Sequence, residues 1–428
     1  MHILYLHQYF TTRNGVGGTR SYEFARYLLS QGHKVTMVTA ADPQLPWQRG
    51  LLRHRQVDGI DVVELRAGSS DYQSGTAVGY GQRIVAFVLF ALASVVAVLR
   101  ARRPDLVFAT STPLTIGIPG AIASAWHRVP MVFEVRDLWP EAPIQMGALR
   151  HPAAILLARW LERAIYRRAA HVVALSPGMR AGVIDAGVPP ERVTVIPNAS
   201  DLDLFSPEID GSAFRETYGL VGKFVCLYFG TMGEANDLFQ VVRAARVLHE
   251  RGEERIVFVL HGRGRQRPEL EAFVSAHGLR NVVFSSALPD KSAVARLVAA
   301  ADVGMTIYKN LPILATCSPN KLFDTLAAGR AVLVNTPGWL RELVLTHECG
   351  VAVRPDDPYD LADSVTALCN DPERVVRYGR NARRLAEQSF DRRALGAQLL
   401  ALFEQVVLAS RQVAQSPSST TAPREMGR

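Results

Sequence analysis

Asn320, Lys321 and Asp324 are the residues whose types and spacing best suit chemistry. They fall in Ser318-Pro319-Asn320-Lys321-Leu322-Phe323-Asp324-Thr325-Leu326-Ala327-Ala328-Gly329, a polar turn leading into a short helix. Gly329 stops that helix, and Ala331-Val332-Leu333-Val334 reads as a buried parallel strand. The first turn of a helix leaves N–H groups free, and a lysine there adds charge, which suits a diphosphate. Asp324 shares a face with Asn320 at i+4, where a carboxylate could accept from a ribose diol. The pattern therefore points to a nucleotide diphosphate, against the plainer reading of a capped αβ unit with a surface lysine.

Other charged or glycine-rich loops follow strand-like runs. Asn14-Gly15-Val16-Gly17-Gly18-Thr19-Arg20 follows the first strand and opens a helix, and glycines there let a backbone approach a ligand. Counted from Gly15 as G-x-G-x-x-G, the last position is Arg20, which counts against a nicotinamide site. Glu134-Val135-Arg136-Asp137-Leu138-Trp139-Pro140-Glu141 sets charges at the C-terminal end of a buried strand, where open α/β sheets bind ligands. Asp137 and Glu141 could accept from sugar hydroxyls, and Arg136 could neutralise a departing phosphate. Gly230-Thr231-Met232-Gly233 and His261-Gly262-Arg263-Gly264-Arg265 end two later strands, and Arg263 or Arg265 could grip phosphate.

The elements that position these loops alternate between strand and helix patterns, the signature of parallel α/β domains. The first set of strands is Ile3–His7, Val35–Thr39, Val62–Leu65, Leu106–Ala109, Val132–Val135, Val172–Leu175 and Val193–Ile196. The second is Val225–Phe229, Ile256–Leu260, Val282–Phe284, Val303–Ile307 and Val332–Asn335. Two Rossmann-like parallel-sheet domains facing across a cleft are expected, residues 1–200 and 201–390, with the crossover near 198–215. A helix over 391–412 is expected to return to the first domain, and the Ser/Thr/Pro-rich tail 413–428 to be disordered.

Ile84–Leu99 is a 16-residue run without a charge, between Arg83 and the group Arg100, Arg102 and Arg103. A bilayer span needs about 20 residues, so the run falls short. It reads either as a core helix or as a helix in the membrane interface, with Phe87 and Phe90 in lipid and the arginines on anionic headgroups. Arg159, Arg163, Arg167 and Arg168, among Ile155, Leu156, Leu157, Trp160 and Leu161, form a second basic amphipathic helix.

Composition bounds the classes. At 428 residues the chain is long for one core, and 48% hydrophobic with 21% charged residues is globular. Cys226, Cys317, Cys349 and Cys369 lie far apart without zinc spacing, so free thiols in a reducing compartment are expected and no metal site. Met1–His7 reads as a strand, not a signal peptide. Residues 1–200 hold 21 Lys and Arg against 13 Asp and Glu, while 201–428 hold 27 of each. The whole +8 excess sits on the first half and favours an anionic partner. No basic run is interleaved with aromatics, so no nucleic-acid partner is expected.

With these motifs in place the chain resembles the GT-B glycosyltransferases of the large retaining family 4. It is most similar to the bacterial envelope-polysaccharide branch, the WbuB-like L-fucosamine transferases. The resemblance rests on Gly17-Gly18, on Glu134 to Glu141, on Ser176-Pro177-Gly178-Met179, on Val195-Ile196-Pro197-Asn198-Ala199-Ser200-Asp201 with Phe205, and on Ser318 to Gly329. It implies sugar transfer of the hexosyltransferase type, with retention of anomeric configuration, no cofactor and no catalytic metal. The later domain would hold a nucleotide-sugar through Gly230, Arg263, Asn320, Lys321 and Asp324, with Gly17 and Gly18 approaching from across the cleft. Asp137, Arg136 and Glu141 would serve the reacting centre. A polyprenyl-diphosphate-linked or saccharide acceptor, and a peripheral place on the inner face of the cell membrane, fit the basic, apolar first half. Four features depart from the family pattern, one being that the Arg/Lys pair that often follows Gly230 is absent, with Thr231 and Asp237 standing nearby. Thr316 stands where the first of two spaced Glu is usual, Asp324 where the second is, and Arg136 where His is common. The rival readings are a nucleotide-sugar epimerase on the same fold and a membrane-bound scaffold without turnover.

Overall fold

Short runs of Val, Ile, Leu and Phe form strands buried on both faces, because helical crossovers cover a parallel sheet above and below. The computed structural model describes residues 1–15, 17–42, 50–67 and 80–415; 413–415, expected to begin a disordered tail, continue the last helix, and the rest of that tail lies outside the described residues. The first sheet has eight strands: β1 (His2–Leu6), β2 (Lys34–Ala40), β3 (Leu52–Val57), β4 (Ile60–Leu65), β5 (Leu106–Thr110), β6 (Met131–Val135), β7 (His171–Ala174) and β8 (Val193–Val195). Their order is β3-β4-β2-β1-β5-β6-β7-β8, parallel except for β3, which runs antiparallel to β4. The second sheet has β9 (Phe224–Phe229), β10 (Ile256–His261), β11 (Val282–Ser285), β12 (Val303–Thr306), β13 (Ala331–Val334) and β14 (Gly350–Ala352). Its order is β11-β10-β9-β12-β13-β14, parallel throughout.

Each sheet reverses direction once. The chain leaves β1 for β2 on one side and returns to β5 on the other; likewise β9 is followed by β10 on one side and flanked by β12 on the other. Ligand crevices form at such switch points, at the C-terminal strand ends. The Gly17-Gly18 loop follows β1 and the Gly230 loop follows β9, so both candidate loops sit at switch points.

Two strands were not anticipated. β3 is polar, but Arg53 and Arg55 each donate through Nε to Glu64, at 2.6 and 2.7 Å, and Glu64 is buried. The Asp58-Gly59 pair (φ 48° and 85°) closes the hairpin and is its sequence signal. β14 is three residues long, and its Gly350 lies where a Cβ would come within 1.9 Å of the Val332 carbonyl oxygen.

Ion pairs tie the crossover down. Arg20 is fully buried; it donates to Glu134 (2.8 Å) and to the Ile196 and Pro197 carbonyls (2.8 and 2.5 Å). Asp201 gathers Arg392 (2.6 Å), Lys291 (3.3 Å) and Arg13 (3.7 Å), one each from the last helix, the second lobe and the first. Burial pushes Asp201 up, but Arg392, Lys291 and Arg13 together hold it below its ordinary value. The helix Arg392–Gln415 packs Leu395, Leu399, Leu402 and Phe403 against Ile3, Phe24 and Phe108 of the first lobe. The spacing of those four residues is one helical stripe.

Candidate functional site

The second lobe contributes a cation without a counter-ion. The helix Asn320–Ala327 starts after Pro319, which has no side chain to cap its first turn. Lys321 Nζ lies 3.9 Å from the Tyr228 ring centroid and 5.8 Å from that of Tyr308, and it donates to Asn236 Oδ1 at 3.2 Å. No carboxylate pairs with it among the described residues. Removal from water pushes its pKa down to about 7. Gly230 makes the room: its φ is +136°, and a Cβ there would touch Lys321 Cε and Nζ at 3.4 Å.

The first lobe supplies a second cation. Arg136 Nη1 donates to His7 Nε2 (3.0 Å), and His7 Nδ1 meets Ser21 Oγ at 2.7 Å. His7 is buried, and burial together with the Arg136 charge pushes its pKa well down, so the ring is neutral. Nε2 then accepts and Nδ1 carries the proton. A neutral imidazole thus aims a guanidinium without cancelling its charge. Asp137, half-buried, accepts from Thr112 Oγ1 at 2.7 Å. Burial raises its pKa, against Thr112 and Arg136, which lower it.

Gly18 lies between the lobes. A Cβ on it would be 3.0 Å from Asn320 Nδ2 and 3.4 Å from Arg136 Nη2. Gly17, at φ +124°, turns the loop toward that point. The start of the Asn320 helix and the Arg136 guanidinium therefore both reach one position. Donors and charge fixed in advance around one point are how an oxyanion or phosphate is stabilised.

Other expected residues are placed elsewhere. Glu141 opens a short helix and pairs with Arg159 (2.7 Å) on the outer helix Pro152–Arg168, 39% exposed, so its carboxylate is already engaged away from Arg136. Arg263 is exposed, and Arg265 pairs with Glu234 at 3.4 Å. Asp324 is buried at the crossover and accepts from Ser200 Oγ at 2.8 Å; burial pushes its pKa up. Thr316 packs on the first lobe: its carbonyl accepts from Ser176 Oγ (2.5 Å), and its methyl lies 2.9 Å from where a Cβ on Gly178 would be. Sequence reasoning missed His7, Tyr228 and Tyr308. A histidine ending a buried strand was the available signal for the first; nothing local marked the tyrosines. Among the described residues no group of three or more His, Cys, Asp and Glu could hold a metal ion.

Comparisons with known proteins agree on one class. Residues 15–199 match the glycosyl transferase 4-like domain, and residues 223–371 match the glycosyl transferases group 1 family. The chain is a GT-B glycosyltransferase. The transferase is 25% identical over 386 residues to the putative colanic acid biosynthesis glycosyl transferase WcaI of Escherichia coli, covering 86% of this chain and 91% of that one. It is 26% identical over 271 residues to the alpha-D-kanosaminyltransferase of Streptomyces kanamyceticus, covering 60% and 68%. Its fold matches sucrose-phosphate synthase from Thermosynechococcus elongatus (TM-score 0.77, 20% identity, 95% and 99% covered). It also matches Anabaena HepE solved with UDP-glucose (TM-score 0.69, 21% identity, 95% and 100% covered). An epimerase is thereby set aside.

The transferase also exposes an apolar face. The helix Tyr80–Arg100 is longer than the apolar run suggested, and by length and composition Gly81–Arg100 could cross a bilayer. Phe90, Ala93 and Val98 are instead buried under the first sheet, and Phe87 is buried with its ring 5.9 Å from that of Trp139, so Phe87 and Phe90 are not lipid-facing as expected. Those anchors hold the helix along the lobe. Its other side shows Val85, Leu89 and Leu92; Trp126 on Gly117–His127, which packs against it, and Leu156, Leu157 and Trp160 on Pro152–Arg168, which packs against Gly117–His127, are exposed as well. Trp126, Leu156, Leu157 and Trp160 are each more than 60% exposed. Arg100, Arg102 and Arg103 are exposed at the end of the first of these helices, and Arg83, less so, lies near its start.

Proposed function

We propose that this transferase moves a sugar from a UDP-linked donor, with retention, to a polyprenyl-diphosphate-linked or saccharide acceptor in envelope polysaccharide synthesis. The carrying observation is the point beside Gly18, reached by Arg136 and Asn320, with Lys321 paired to no carboxylate among the described residues. A diphosphate supplies the missing negative charge. It leaves as the sugar–phosphate bond breaks, and both cations offset the charge that develops. Asp137 orients an acceptor hydroxyl at the same strand end.

A UDP donor is supported by HepE, solved with UDP-glucose on this fold. An envelope role is supported by the relative named for colanic acid biosynthesis. The relative named for kanosaminyl transfer supports an amino-deoxy sugar, as the WbuB-like resemblance does. A lipid-linked acceptor is supported by the apolar, arginine-rimmed face of the first lobe. It seats the enzyme peripherally on the inner face of the cell membrane.

A thermal-shift panel of UDP, GDP, ADP and their sugars tests the donor, because ligands that bind only the folded state raise its melting temperature. UDP compounds should stand out, and a panel without any shift refutes the donor site. Flotation with anionic liposomes tests the face. Protein that stays in the soluble fraction at low salt refutes membrane seating.

A further inference from the structure

The far end of the Asn320–Ala327 helix opens on a cavity that sugar transfer does not use. It is a half-open pocket of about 510 Å³ between Pro207, the start of β13 and the helix Pro372–Ser389. It lies at the N-terminal edge of the second sheet, opposite the donor cleft. Bare backbone lets the helix settle closely: a Cβ on Gly379 would meet the Gly329 carbonyl oxygen at 2.3 Å.

The charges around it do not balance. Both lining carboxylates are engaged. Asp302 accepts from the Val225 N–H (2.7 Å) and from Arg215 (2.9 Å), and Glu387 accepts from Arg383 (2.7 Å). Arg383 is further held by the Leu202, Phe205 and Ala327 carbonyls, at 3.2, 3.0 and 2.8 Å. Arg330, Arg380 and Arg384 also line the cavity; none makes a close ion pair with a carboxylate among the described residues, and Asp302, already engaged, acts on Arg330 only through its charge. Arg330 Nε is buried with no hydrogen-bond partner. Arg380 and Arg384 are one turn apart on the same helical face. Buried guanidinium N–H groups without acceptors are costly, and arginine forks match phosphate oxygens.

We propose that this cavity is a second anion site, taking a small phosphorylated molecule whose phosphate oxygens accept from Arg330, Arg380 and Arg384. The site stands apart from the donor cleft and does not depend on the donor reading. Inorganic pyrophosphate, titrated calorimetrically into the full chain, is the probe. In a Lys321→Ala background the donor cleft is weakened and binding heat should persist. Adding Arg380→Gln and Arg384→Gln, both exposed and therefore tolerable to the fold, should weaken it by about tenfold or more. No heat in the Lys321→Ala protein, or affinity within about twofold after the two arginine changes, overturns the proposal. Failure of the donor reading would show separately, as identical titrations of wild type and Lys321→Ala.

Discussion

Raising the pH from 6 to 8 should weaken nucleoside diphosphate binding through Lys321. Burial among Tyr228, Tyr308 and Asn236 pushes its pKa down to about 7, from an ordinary 10.5. About nine in ten ammonium groups are charged at pH 6 and about one in ten at pH 8. A diphosphate needs the charged form, and once bound it raises that pKa again. Affinity should therefore fall about tenfold between pH 6 and pH 8, or about 1.4 kcal/mol. Binding should take up about 0.1 proton at pH 6 and about 0.9 at pH 8. Titration of UDP in two buffers of different ionisation enthalpy measures that uptake. Lys321→Ala supplies the baseline, since it keeps the titration of the nucleotide itself. It should bind UDP about 1.5–3 kcal/mol more weakly at pH 6. The unliganded protein should show the opposite slope. Because the folded pKa lies below the unfolded one, the unfolded state holds more protons between about pH 7 and 10.5, and stability rises with pH there. Equal proton uptake in wild type and variant would refute the reasoning.

Glu134→Gln leaves Arg20 charged and buried without its partner, and should cost about 3–5 kcal/mol in urea unfolding; a loss under about 1 kcal/mol would show that the pair is not buried as described. Gly18→Val puts methyl groups where Asn320 and Arg136 converge, so kcat/KM should fall at least about tenfold with little change in Tm. Unchanged kinetics would place the reacting point elsewhere. Leu156→Glu with Trp160→Glu should abolish liposome flotation while leaving Tm within about 2 °C, since both side chains are exposed. Retained flotation would move the lipid contact to another face.

Much of the fold was legible because parallel strands covered on both faces need uninterrupted apolar runs, and such runs show in one dimension. β1, β5, β6, β9 and β12 were found this way. β3 was not, since Glu64, seven residues beyond its end, is what allows Arg53 and Arg55 into a strand. The candidate loops were legible because glycine and charge at strand ends are rare without a ligand or a network. What each charge faces was less so. Asp324 shares a helical face with Asn320, yet Ser200 of the crossover holds its carboxylate. Glu141 turned to Arg159 because that helix packs alongside, which residue spacing does not record. Phe87 and Phe90 look like Leu89 and Leu92 in a list of residues; the sheet and Trp139 against the helix separate them.

By itself the amino-acid order determined two parallel α/β lobes, the loops at their strand ends and the basic surplus of the first half. Those properties depend on periodicity and local chemistry, which neighbouring residues carry. Only the tertiary structure decided that Lys321 meets no carboxylate among the described residues, that a neutral His7 aims Arg136, and that Asp201 joins three distant cations. Electrostatic partnership depends on separation in space and on exclusion of water, and both arise when strands and helices far apart in the chain close on one another.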